Sequence, residues 1–328
     1  MKRTIAGLML ITVLFSGCSV FKKDPQKVVD EGIRKIADVK KMSSLLVMNG
    51  TIQSPAGEVP AKVEFSVQVS GKTDTTDKDA PKVDTTMKVE GNVDDQKVSG
   101  ELLFKSVNKQ MYIQVGSVKI SGETGKALEE QLGSLLNTWW SVPLGEQNPI
   151  GKFTSEQQEL QELFKTSKFF MNAKEEGEEE VQGVKSVRYR VDLDKEALKK
   201  FIFDAARLTG NQVSPEEELA LGESLKDVEF SGAVWVGDDG YLHRVKGTVA
   251  VAPKDGPSSS FDLDYSSWDY GKDVEVGVPE GAKEFNPLML FPLMGAFGAL
   301  DQGAGDLPVD ESLGVDQLTP PPAVAPKK

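Results

Sequence analysis

The stretch Lys62-Val63-Glu64-Phe65-Ser66-Val67-Gln68-Val69 alternates polar and apolar residues without a break. Only a strand with one buried face satisfies that pattern, because successive side chains on a strand point to opposite sides. The style returns at Met87-Lys88-Val89, at Val98 to Phe104 and at Met111-Tyr112-Ile113-Gln114-Val115. Residues 71–81 read as a polar loop and Asp94-Asp95 as a hairpin turn. Strands at this spacing, with no helix between them, predict an antiparallel meander of about five strands.

Helices flank the meander. Asp24-Pro25 is an N-cap followed by Pro at the first helical position, opening a helix to about Val39 with Val29, Ile33 and Ile36 on one face. Residues 125–136 carry Leu128, Leu132, Leu135 and Leu136, and Trp139-Trp140 follows. A second middle helix starts near Thr154, with Gln157 as capping partner and a stripe of Leu160, Leu163, Phe164, Ser167 and Phe170. Residues 174–180 read as a solvated acidic loop. Val187 to Leu193 is an alternating strand that runs into a helix with Leu198, Phe201, Ile202 and Ala205. Ser214-Pro215-Glu216-Glu217 opens another helix with cap, Pro and capping-box Glu in place. A closing meander takes in Val228–Val236, the turn Gly237-Asp238-Asp239-Gly240, Tyr241–Val251 and Phe261–Tyr265, with 273–278 as a candidate edge.

The two ends differ from this body. Met1-Lys2-Arg3, an apolar run from Ile5 to Phe15 and Phe15-Ser16-Gly17-Cys18 form a signal segment ending in a lipobox-like motif, with Phe15 where Leu is commoner. The run is about half the ~20 residues of a spanning helix. It predicts cleavage of residues 1–17, lipid on Cys18 and a tether over 18–24. Cys18 is the single cysteine, so an internal disulfide is excluded and a lone exported thiol is accounted for by lipidation. Residues 285–300 are apolar but hold Pro287 and Pro292, too broken to span; they read as a lid, a membrane-dipping loop or a partner contact. Residues 301–328, ending near Pro320-Pro321-Pro322, read as a disordered tail.

Charge and composition narrow the function. The net charge of −13 disfavours nucleic acid and broad adhesion to anionic lipid. One histidine, His243, excludes most hydrolase triads and His-rich metal sites. It reads as a satisfied histidine near a hairpin end. No phosphate loop and no Gly-x-Ser-x-Gly elbow is present. Asp262 and Asp264 share one strand face, read as solvated. Asp74, Asp77 and Asp79 lack the Gly and terminal Glu of a calcium loop. The expectation is no catalysis, no metal and no cofactor beyond the lipid on Cys18.

The lipobox and the order of elements over roughly residues 25–280 resemble the half-barrel lipoproteins of the LolA, LppX and LprG type. Val234 to Arg244, Phe261 to Tyr265 and Tyr270 to Pro279 carry the closest local likeness, and the strand-to-helix join from Tyr189 to Leu198 is also similar. The resemblance implies an α+β domain over 25–284: a strongly curved, unclosed antiparallel sheet with helices on its concave face. It implies a cavity that holds acyl chains of a lipid or lipoprotein, in an exported protein anchored to the cell membrane or outer membrane. Phe65, Val67, Met111, Ile113, Phe164, Phe170, Phe201, Phe230 and Tyr265 are the candidates to line that cavity. The same residues suit a filled core, in which case the chain is a non-catalytic surface interaction or structural lipoprotein.

Overall fold

The computed structural model describes residues 23–54, 62–78, 80–93, 96–133, 135–143, 159–208, 213–253 and 257–285. Cys18, the Asp94-Asp95 turn, Thr154 with Gln157, residues 286–300 and the 301–328 tail lie outside them.

The chain opens with α1 (Pro25–Ala37), whose N-cap Asp24 accepts from the Gln26 N–H as its sequence predicts. Five long strands follow: β1 (Lys41–Gln53), β2 (Lys62–Asp74), β3 (Lys82–Val93), β4 (Gln96–Val107) and β5 (Gln110–Ile120). Then come α2 (Glu123–Leu132), β6 (Trp140–Pro143) and α3, described over 159–166. The hairpin β7 (Phe170–Val181) and β8 (Val184–Leu193) leads into α4 (Lys195–Leu208) and α5 (Pro215–Lys226). The closing strands are β9 (Val228–Gly237), β10 (Leu242–Val251), β11 (Ser258–Trp268) and β12 (Lys283–Glu284). The predicted capping box of α5 is present: the Glu217 N–H donates to Ser214 Oγ, and the Ser214 N–H donates to the Glu217 carboxylate.

All twelve strands join one unclosed sheet in the order β12-β6-β5-β4-β3-β2-β1-β11-β10-β9-β8-β7. Every pairing is antiparallel except the two-residue β12–β6 contact. This is the α+β half-barrel arrangement the pattern predicted. Three local expectations are corrected, and one strand lies outside the alternating pattern. β1 is a full strand that alternation did not disclose, because Leu45-Leu46-Val47-Met48 puts apolar groups on both faces. The acidic stretch 174–180 is not a loop but part of edge strand β7, held by pairing to β8. The 71–81 loop is shorter, since β2 runs to Asp74. The last edge pairing falls at Lys283–Glu284 rather than 273–278.

Register fixes what faces inward. One row of neighbours crosses nine strands: Val115, Leu102, Met87, Val69, Leu46, Tyr265, Val245, Val234 and Tyr189. The outer row beside it runs Val47, Gln68, Lys88, Glu101 and Ser117. A bulge at Gly116 shifts the phase of β5, so that Val118 and Ile120 still face inward with Gly100 and Val98.

Helix cover is uneven. α1 packs on β7, β9 and β10, and α2 on β5. Val29 and Ile33 of α1 close a fully buried core with Tyr189, Val191, Val234, Val236 and Leu242. Each such aliphatic side chain contributes about 1.5–3 kcal/mol by leaving water. α4 and α5 pack on each other.

Candidate functional site

The inner face of β1–β5 is the candidate binding surface. Two adjacent rows form its floor: Leu46, Val69, Met87, Leu102, Val115, and Met48, Val67, Val89, Gly100, Val118. Neither row holds a polar side chain, yet all ten positions are only half-buried. A third row, Gly50, Phe65, Gly91, Val98 and Ile120, continues the floor toward the strand ends at residues 54, 93 and 120.

Glycines let aromatic rings lie flat on this face. A Cβ at Gly50 would stand 2.4 Å from the Phe65 ring and 2.8 Å from that of Phe261. Those two rings pack at 5.8 Å between centroids. Phe230 lies over Gly232 and Gly247 in the same way, at 2.4 and 2.6 Å from their missing Cβ atoms. Rings flattened against the backbone leave depth above the sheet that upright rings would fill.

The nine residues named from the sequence do not gather at one place. Phe65, Val67 and Ile113 stand half-buried on the floor. Tyr265 sits where the floor meets the core, and burial pushes its hydroxyl pKa up. Met111 shares the face but is fully buried at one end. Phe170 packs on Phe230 at 5.9 Å, and both lean on the α1 core. Phe164 and Phe201 form a trio with Phe169, at 5.2 and 5.0 Å from it. Phe169 lies off the helical stripe that the spacing predicts through to Phe170. The helix ends at 166 and the strand starts at Phe170, so Phe169 occupies the link between them.

One end of the sheet is sealed. After β11 the chain runs as a belt past Lys41, where the Gly271 N–H donates to the Lys41 carbonyl and the Lys41 ammonium reaches Asp273 at 2.7 Å. That contact raises the Lys41 pKa and lowers that of Asp273. Val274 is buried in the belt, which ends at β12 beside β6. Ser43, Ser106, Val107 and Met111 are all buried at this end. Beside it lies a polar clamp. His243, the extra residue of a bulge between β9 and β10, is 1% exposed. Its Nδ1 lies 3.1 Å from the Ser267 carbonyl and its Nε2 3.0 Å from the Asp239 carboxylate. Tyr270 donates to the Leu242 carbonyl at 2.5 Å and its pKa is pushed up by burial. Lys35 of α1 donates to the Asp239 carbonyl at 3.1 Å, tying the helix to the same turn. His243 is thus the satisfied histidine its position suggested.

No family model matches the sequence, and no curated protein matches it. The fold is similar to that of LprF from Mycobacterium bovis, at 13% identity over 79% of this chain and 97% of that one, with a TM-score of 0.39. It is similar to the lipoprotein LppX of Mycobacterium tuberculosis at 10% identity, covering 77% and 98%, TM-score 0.30. A putative outer membrane lipoprotein-sorting protein domain from Vibrio parahaemolyticus is similar at 9% identity, covering 77% and 95%, TM-score 0.18.

The chemistry of the inner face is that of a solvent for hydrocarbon. It offers dispersion contact and exclusion of water, with no charged group among the described residues of its three floor rows. The outer face is the reverse. There Arg244 grips Asp264 with two hydrogen bonds of 2.8 and 2.5 Å, and Thr248 donates to Asp262 at 2.6 Å. The two aspartates are therefore engaged on the outer surface. Among the described residues no group of His, Cys, Asp and Glu could hold a metal ion, and no helix is long and apolar enough to cross a membrane.

Proposed function

We propose that the chain is a lipid-anchored envelope protein that binds or carries an acyl-bearing ligand on the inner face of β1–β5, without catalysis. The observation behind this reading is the mismatch on that face: its three floor rows are apolar, and they keep partial exposure in a sheet whose other half carries a fully buried core under α1. Large half-exposed apolar surfaces mark sites for ligands, membranes or partners. An acyl chain laid there gains about 0.8 kcal/mol per methylene removed from water. Lipid on Cys18 would hold the domain at the membrane that supplies such chains. Native mass spectrometry of the bacterially expressed chain tests the reading. A co-purifying acyl lipid at near-unit stoichiometry is expected. A clean protein mass, unchanged after incubation with membrane lipids, would move the reading to a non-catalytic interaction lipoprotein.

A further inference from the structure

Two buried indole nitrogens have no hydrogen-bond partner among the described residues, those of Trp140 and Trp235. A buried N–H left unpaired is costly and native proteins leave few of them, so each calls for an explanation. Trp235 is 4% exposed on the outer face, packed between the guanidinium groups of Arg188 and Arg244 at 5.4 and 5.1 Å from its ring. Trp140 is placed otherwise. It is 8% exposed, and strand register puts it on the inner face. Trp140 pairs with Ile113, Ile113 with Phe104, Phe104 with Thr85, Thr85 with Gly71 and Gly71 with Ser44. This row lies directly beside the floor row of Leu46, Val69, Met87, Leu102 and Val115, on the belt side.

The row differs from the floor in chemistry. The three floor rows are apolar, whereas here Ser44 and Thr85 bring hydroxyls and Trp140 brings its N–H. Adjacent strand residues face opposite ways, so the step Trp139-Trp140 sends one ring to each side. Trp139 takes the outer side, where the Lys105 ammonium stands 5.7 Å from its ring. Lys283 pairs in register with Trp140 across the parallel β12–β6 contact, so the two side chains share the inner face. The Lys283 ammonium stands 5.9 Å from the Trp140 ring centroid. From Thr85 to Gly91 the inner face runs along six residues of β3, about 20 Å, the length of a long acyl chain. A chain laid on the apolar floor thus has one buried, unused donor beside it, at the belt side.

We infer that Trp140 anchors the polar end of the ligand. Its indole N–H donates to the acyl carbonyl oxygen at the belt side of the floor, and Lys283 favours a free carboxylate over an ester. The inference rests on the acyl-carrier reading and adds the anchor and the ligand's direction. Hydrogen bonds to an ionised acceptor are the stronger ones, and burial heightens them. The test is uptake from neutral phosphatidylcholine vesicles by the full chain carrying Cys18→Ser, with pyrenyl-dodecanoic acid, its methyl ester and dodecylpyrene as probes. Trp140→Phe keeps an aromatic ring and removes the donor. It is expected to weaken uptake of the acid and the ester about tenfold and to leave dodecylpyrene unchanged. Lys283→Gln should lower the acid relative to the ester, and Trp235→Phe, which removes the other unpaired N–H, should alter none of the three. A second readout keeps Trp140 in place. Its indole N–H signal in proton–nitrogen correlation spectra, identified by elimination with Trp139→Phe, Trp235→Phe and Trp268→Phe, is expected to move downfield with the acid or the ester and to stay with dodecylpyrene. An equal loss of all three probes in Trp140→Phe, no loss of any, or a signal that responds alike to dodecylpyrene overturns the anchor and leaves the groove standing. An acid-to-ester ratio unchanged in Lys283→Gln overturns the carboxylate preference. Uptake of none of the three by the Cys18→Ser chain overturns the groove and the anchor together.

Discussion

Val234 and Leu46 belong to one cross-strand row, yet they live in different environments. Under α1, Val234 is 0% exposed and its neighbour Tyr189 6%. Further along the row Leu46, Val69, Met87 and Leu102 keep partial exposure, although they are as apolar. The residue types do not differ, so the contrast comes from where helices land. The covered half holds the domain together. The half-covered half is surface the fold can spare, and that is where a ligand can bind without unfolding anything.

Substitutions can break this comparison. The largest expected effect is in the covered half: Ile33→Ala should cost about 2–4 kcal/mol, read by chemical denaturation. Val67→Ala on the floor should cost well under half as much, because its site is already partly open, while weakening lipid uptake. Equal losses at the two positions would erase the distinction. His243→Leu comes next, at about 1–3 kcal/mol, since it removes the buried imidazole's hydrogen bonds to the Ser267 carbonyl and the Asp239 carboxylate.

Glycine substitutions sharpen the same point. A Cβ at Gly232 would meet the Lys246 carbonyl at 2.8 Å as well as the Phe230 ring. At Gly50 the close contacts are the Phe65 and Phe261 rings, which can swing into the open groove. Gly232→Ala should therefore destabilise by roughly 1–3 kcal/mol and Gly50→Ala by less, with Gly50→Ala instead lowering lipid capacity. Thermal melts and lipid titration check both. The smallest effect is the belt. Asp273 has a folded pKa below its ordinary value, so its pairing with Lys41 is intact above pH ~4 and is lost as pH falls through the folded value. The pair is exposed and its contribution small. Asp273→Asn should remove whatever acid sensitivity the belt has, measured by hydrogen exchange near Val274 at pH 3 and 6.

The sequence made the faces legible where one side of a strand is polar. Val63 to Val69 alternates because β2 has a polar outer face, and the same logic held for β9 to β11. It failed where both faces agree: β1 is apolar on both around Leu45–Met48, and β7 is acidic on both around Glu175–Glu180. Side-chain period cannot report a strand whose two sides look alike; the hydrogen bonds to β2, β11 and β8 decide it. The Asp24-Pro25 and Ser214-Pro215 helix starts were legible because capping is local. The candidate site was only half legible. Phe65, Val67 and Ile113 were found by phase, but whether an inward residue is covered depends on helices far away in sequence. Phe164, Phe201 and Phe230 therefore read the same as the floor while packing elsewhere.

The most direct test of the floor is photo-crosslinking from an acyl chain. A fatty acid carrying a diazirine at mid-chain is bound to the protein, activated, and the modified residues are mapped by mass spectrometry. The account predicts labels on inward positions of β1–β5, such as Met48, Val67, Met87 and Leu102, with none on Val234 or Val29. Labels confined to the outer face, or spread without regard to strand phase, would contradict it.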